Sequence, residues 1–172
     1  MMNTADKIKH LIIADVKRRL IEESLPRIHK CLDSLSLAEV WHKQNEHTNS
    51  VGNLILHLCG NVRQYLLSGI DGQEDIRKRD LEFTEQGPID KEILKSKLNV
   101  LMNEVDQALD RIASIDLIKE VRVQGFDENV TSILIHVTEH FSYHVGQITY
   151  YTKYIKNMDT GYYAGLDLNA KG

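Results

Sequence analysis

Three histidines, His136, His140 and His144, fall at every fourth position of the stretch SILIHVTEHFSYHVGQITYYTKYI. On an α-helix each step of four residues turns by about 40° and climbs about 6 Å, so the three imidazoles lie near one face. Random placement of the chain's eight histidines yields such a triple roughly 0.02 times. Two imidazoles at i and i+4 can grip one metal ion. Three spread over roughly 12 Å of one rigid helix cannot all reach it. At most two ligands therefore come from this helix, and the rest of a site comes from another.

His57, in NSVGNLILHLCGNVRQYL, is the natural partner. Gly52 and Gly60 flank it in the same segment, at about 1 kcal/mol each relative to alanine in a helix. Small residues there permit close approach of another helix or of a ligand; plain packing explains them as well. His57 reads equally as a core histidine bonded to a backbone carbonyl. If His57, His140 and His144 do share an ion, three neutral imidazoles leave open coordination positions, as catalytic rather than structural sites do. Such a site lowers the pKa of bound water to about 7, or binds and deprotonates a thiol. Imidazole suits zinc, nickel, iron and copper, so ligand type does not choose the metal.

Other residues surround this constellation. His136 sits one turn before His140 and reads as a pocket or supporting residue. Asn53, one turn before His57, either holds a ligand or is a buried amide bonded to backbone. Gln147 either adjoins the site or cross-links helices, the latter being favoured. Arg77 and Arg79, with Asp80, form either a solvated connector or a clamp for a substrate carboxylate or phosphate. Glu139 points about 100° away from His140, towards solvent or another helix. Tyr143, Tyr150, Tyr151 and Tyr154 read as core and interface residues. His10, His29, His42 and His47 read as surface residues, and Cys59 as a small core residue rather than a nucleophile. No carboxylate stands out as a general base.

The elements that position these residues are helices. Apolar residues recur at helical spacing over residues 5–24, and Pro26 then kinks that helix or starts another. Ser36 and Glu39 fit a capping box for a short turn around Ser36–Val40. A second long helix is predicted from about Ser50 to Ser68, capped by Asn49 or Ser50 and stopped near Gly69. A charged connector, DGQEDIRKRDLEFTEQGP, leads to a third helix from Asp90 to about Ala113. VRVQGF, within 116–126, is an extended loop or a short strand with no obvious partner. The fourth helix runs from Asn129 or Thr131 to Asn157. A glycine-rich tail packs as coil over an all-α four-helix bundle.

At 172 residues and 42% hydrophobic, the chain reads as a single domain spanning 1–172. No window holds about 18 consecutive apolar residues, so no membrane span is expected. The net charge of −4 argues against a nucleic-acid partner. The N-terminus lacks the uninterrupted apolar run of a signal peptide. Cys31 and Cys59 lack zinc-type spacing, and a reduced, cytoplasmic protein is expected. A homodimer through an unchosen face is also expected.

The mid-helix histidine of GNLILHLCGNVRQYL, followed about 80 residues later by HFSYHVGQI, resembles the DinB-like superfamily over about 150 residues. DIRKRDLEF is similar to a feature of one subfamily of undefined function. The resemblance implies a four-helix bundle with a three-histidine metal site. One ligand comes from the second helix and two from an H-x-x-x-H pair in the last, with G-Q following. Here those positions are His57, His140 and His144, with Gly146–Gln147 after them. The resemblance further implies a metal-dependent enzyme acting on a small molecule. It would be a hydrolase activating water, or a transferase using a low-molecular-weight thiol. The alternative is a non-catalytic, stress-related metal-binding bundle.

Overall fold

Asn3 caps the first helix by accepting the Asp6 amide at 2.9 Å, and the chain stays helical from there to Ser34. The computed structural model, which describes residues 2–171, divides this rod into three parts. They are α1 (Thr4–Lys17), a π-helical stretch Arg18–Ser24, and α2 (Leu25–Ser34). Of the two roles expected for Pro26, the structure gives it the start of a second helical segment. The wider π turn shifts the hydrogen-bond register so that Pro26 sits in the first turn of α2, where its missing N–H is tolerated. The capping box of Ser36 and Glu39 opens α3 (Leu37–Trp41). Trp41 then lies against α4 (Val51–Val62): a Cβ on Gly52 would stand 2.8 Å from the indole, so Gly52 serves helix packing.

Ser50 caps α4 in a second reciprocal box with Asn53, and a π-helical stretch Arg63–Ser68 carries the rod to Gly69. The charged connector is not all coil. It contains α5 (Arg79–Thr84), a short helix without the apolar periodicity that marks the long ones. Asp90 caps α6 (Lys91–Arg111) through the Glu92 amide at 2.8 Å. After a 3₁₀ turn, Ser114–Ile118, comes a hairpin of β1 (Glu120–Val123) and β2 (Phe126–Asn129). The expected strand does have a partner, namely the next four residues, with Glu120 opposite Asn129 and Val123 opposite Phe126. Gln124 and Gly125 form the tip at φ 51° and 85°, the paired positive values of a mirror-image two-residue turn.

α7 (Val130–Lys156) begins with Asn129 accepting the Ser132 amide at 2.9 Å and ends at Asn157 in the left-handed region, φ 46°. The four long rods enclose one cluster of buried apolar side chains, among them Ile28, Leu58, Leu98, Val137 and Phe141. α7 packs on α2 and α4, and α6 packs on α4 and the first rod. The architecture is an all-α bundle with one small hairpin. The tail is tied down by Tyr162, whose hydroxyl lies 3.0 Å from Thr149 Oγ1 and 3.2 Å from Cys31 Sγ. Among the described residues no helix is long and apolar enough to cross a membrane.

Candidate metal centre

α4 carries His57 and α7 carries His140 and His144, and the packing of these two rods brings the three imidazoles together. One ring nitrogen from each lies within 4.8 Å of the others. His57 Nε2 and His140 Nε2 are 2.9 Å apart. The His144 ring stands nearly perpendicular to both neighbours, at 84° to His57 and 83° to His140. The rings therefore converge by their edges rather than stack. His136, one turn along α7, is not part of the cluster.

The outer nitrogens fix the tautomers. His57 Nδ1 lies 2.9 Å from Glu82 Oε2, and His144 Nδ1 lies 2.7 Å from Gln147 Oε1. Both partners are acceptors, and Glu82 lies closer to His57 Nδ1 than the Arg77 Nη2 donor at 3.2 Å, so both Nδ1 atoms carry hydrogen and both Nε2 atoms keep a lone pair. His140 Nε2 then donates to His57 Nε2, and a metal ion would replace that shared hydrogen. Metal–nitrogen bonds of about 2.0–2.1 Å in a tetrahedron set ligand nitrogens about 3.3 Å apart, between the 2.9 Å and 4.8 Å seen here. The donor set fits a divalent transition metal, and the tautomers of His57 and His144 are set by the fold.

Glu82 is the carboxylate that sequence reasoning missed. It sits on α5, which packs directly against α4. Asn53 holds that segment in place: its Nδ2 donates to the Glu82 and Glu85 carbonyls at 3.0 and 2.8 Å. Asn53 is thus the buried amide bonded to backbone, not a ligand-holding group. Arg77 is not part of a solvated connector. Its side chain is buried, and it grips Glu82 with Nε to Oε1 at 2.7 Å and Nη2 to Oε2 at 2.9 Å, while Nη1 donates to Gln64. Gly60 makes room for this pair. A Cβ there would lie 1.9 Å from Glu82 Oε1. The glycine that the sequence left open between packing and ligand approach thus seats a carboxylate.

The electrostatics favour neutral imidazoles. Burial pushes His140 down to about 3, helped by His144, His57, His136 and Arg77 around it. Burial lowers His144 as well. Burial raises Glu82, but hydrogen bonds from Arg77 and His57 outweigh it and hold the carboxyl below its usual range. The sign for stability follows. His140 binds a proton near pH 6.5 when unfolded and only near 3 when folded, so its contribution is complete above pH 6.5 and lost as pH falls towards 3. The melting temperature of metal-stripped protein is expected to fall between pH 7 and 5, and His140→Gln to flatten that fall. An equal slope in the variant would contradict the assignment.

The remaining candidates divide. Gln147 adjoins the site through His144, against the favoured helix cross-link. Arg79 is exposed and lies 4.9 Å over the Phe83 ring, which itself lies 4.8 Å from the His57 ring. His136 packs between Tyr65 and His140, with Asn61 Nδ2 3.5 Å from its Nε2. Asn61, one turn after His57, is buried with its Oδ1 unpartnered. A cavity of about 470 Å³ opens beside Gln147, lined by His42, His47, Leu54 and Tyr151 among others. His42 and His47, which read as surface residues, are exposed and rim it. Cys59 has its thiol pushed up to about 12 by burial, as befits a packing residue. Tyr151 is half-buried and donates to the Glu39 carbonyl at 2.9 Å. Tyr143, Tyr150 and Tyr154 are exposed rather than core. His29 is half-buried, not a surface residue.

Fold and site together define a helical bundle with an inward-facing histidine triad. The structure is similar to the crystal structure of a DinB-like protein from Bacillus cereus ATCC 10987. The TM-score is 0.60 over 78% of this chain and 87% of that one, at 16% sequence identity. The chain belongs to the family described as "Protein of unknown function (DUF1572)", whose model matches residues 10–163. No curated protein matches the sequence.

Proposed function

We propose that the protein is a metal-dependent enzyme whose ion is held by His57, His140 and His144 and acts on a small molecule. The observation that carries this reading is the set of orienting hydrogen bonds. Glu82 and Gln147 fix two of the three rings from outside, and among the described residues no fourth histidine, cysteine or carboxylate joins the cluster. A bound ion with open positions supplies a nucleophile at neutral pH, either water or the thiolate of a low-molecular-weight thiol. Zinc, nickel and iron all suit the donor set. The protein's own task is to keep His140 and His144 neutral, aim the Nε2 atoms of the triad inward, and offer the cavity beside Gln147 for the organic part of the substrate. We place the protein in the cytoplasm, as one domain and a homodimer, without a nucleic-acid partner.

One observation favours the second reading, a non-catalytic stress-related bundle. The carboxylate at the triad, Glu82, is committed to Arg77 and His57, so it offers no free base. Cobalt-loaded protein separates the readings. Thiol transfer predicts a sulfur-to-metal charge-transfer band when a small thiol is added. Water activation predicts hydrolysis of an activated ester that stops on chelation. Absence of both overturns the enzymatic reading. Chelation is also expected to leave the melting temperature within a few degrees, because the hydrogen bonds that orient His57 and His144 need no ion. A collapse of the fold on chelation would mark the ion as structural.

A further inference from the structure

Among the described residues nothing packs against Gly146. It lies in the middle of α7, where glycine is the poorest helix former after proline. It is exposed, and a Cβ built on it would meet nothing within 4 Å. The other small residues near the site have tenants: Trp41 at Gly52, and Glu82 at Gly60. Around Gly146, the outer face of α7 carries Glu139, Tyr143, Tyr150 and Lys153, spaced four, three, four and three residues apart through the glycine. That is the spacing of a helix–helix seam. Every member is exposed. Tyr143 and Tyr150 expose 62% and 75% of their surface, and Tyr154 and Ile135 beside them 69% and 63%.

We infer that this seam pairs with the same seam of a second copy, with the two α7 helices antiparallel about a two-fold axis at Gly146. The inference deepens the homodimer reading by choosing its face, and it does not depend on the metal. Three features select a second copy over an unrelated partner. A two-fold at Gly146 sets the two glycines face to face, so the backbones can approach closely. It brings Tyr143 of each copy to within one residue, about 1.5 Å, of the level of Tyr150 of the other. It also brings Glu139, seven residues before the glycine, to the level of Lys153, seven residues after it, so opposite charges meet twice. Lys153 is free to turn that way, since its own-chain partner Asp159 is 3.9 Å off and exposed. Covering the tyrosines and Ile135 removes roughly 500 Å² per copy, about 1,000 Å² in all, where specific interfaces begin. The pairing also closes over Tyr143, whose ring stands edge-on to His144 at 5.0 Å.

Sedimentation velocity on the full chain tests this, with circular-dichroism melts confirming that each variant is folded. The wild type is expected to be a dimer at micromolar concentration. Gly146→Arg is expected to be a folded monomer. Glu139→Lys and Lys153→Glu are each expected to weaken the dimer about tenfold or more. The double variant E139K/K153E, which restores opposite charges, is expected to recover most of the loss. A wild-type monomer at all concentrations overturns both the dimer and its face. A dimer that survives Gly146→Arg and ignores the charge reversals leaves the dimer standing and overturns the face.

Discussion

His144→Ala is expected to lower divalent-metal affinity by roughly a hundredfold to a thousandfold while leaving the bundle folded. Four-ligand zinc sites are worth about 10–16 kcal/mol, so one imidazole carries about 2.5–4 kcal/mol. His144 is the informative choice among the three. His57 is tied into the Glu82–Arg77 network, and changing it disturbs α5. His140 sits between its two partners, and changing it alters their mutual hydrogen bonding. The aromatic and hydrogen-bonding partners of the His144 ring, among the described residues, are the triad, Tyr143 and Gln147. Competition titration against a chromophoric chelator reads the affinity, and a thermal melt reads the fold. An unchanged isotherm would mean that the metal sits elsewhere or nowhere.

Arg77→Met is expected to be the most destabilising single change near the site. It removes both guanidinium contacts from Glu82, whose side chain is 9% exposed, and leaves a buried carboxylate facing only His57. Stranding one partner of a buried ion pair costs about 3–5 kcal/mol, which for a chain of this size lowers the melting temperature by roughly 10 °C. Metal affinity should fall as well, by about 10–100-fold, because Glu82 orients His57. A second variant separates the two effects. Arg77→Met with Glu82→Leu removes the stranded charge and should recover much of the stability, but none of the affinity. Recovery of both would show that Glu82 does not position His57.

The sequence made the two helices of the triad legible because their signals are local. Four-residue histidine spacing, the Ser50 cap and the Asn129-to-Asn157 span of α7 need no tertiary information. Glu82 lies 25 residues beyond His57, on a six-residue helix without apolar periodicity. Nothing in its neighbourhood signals burial, which arises only when that helix closes over Gly60. Arg77 was misread for the same reason, since an arginine in a charged connector is ordinarily solvated. The sole local hint was DIRKRDLEF, which contains both residues. The hairpin was half legible: Gln124–Gly125 is an adequate turn signal, but Phe126–Asn129 is too polar to read as a strand. The π turn before Pro26 has no signature in side-chain pattern, because it is a change of backbone register within an unbroken rod.

The most direct test of the triad is a crystal structure of the reconstituted protein with anomalous diffraction collected on both sides of the metal's absorption edge. One strong peak per chain is expected, bonded to the Nε2 atoms of His57, His140 and His144, with Glu82 still on His57 Nδ1. A peak at any other residues, or no peak in protein loaded with excess metal, would contradict that assignment.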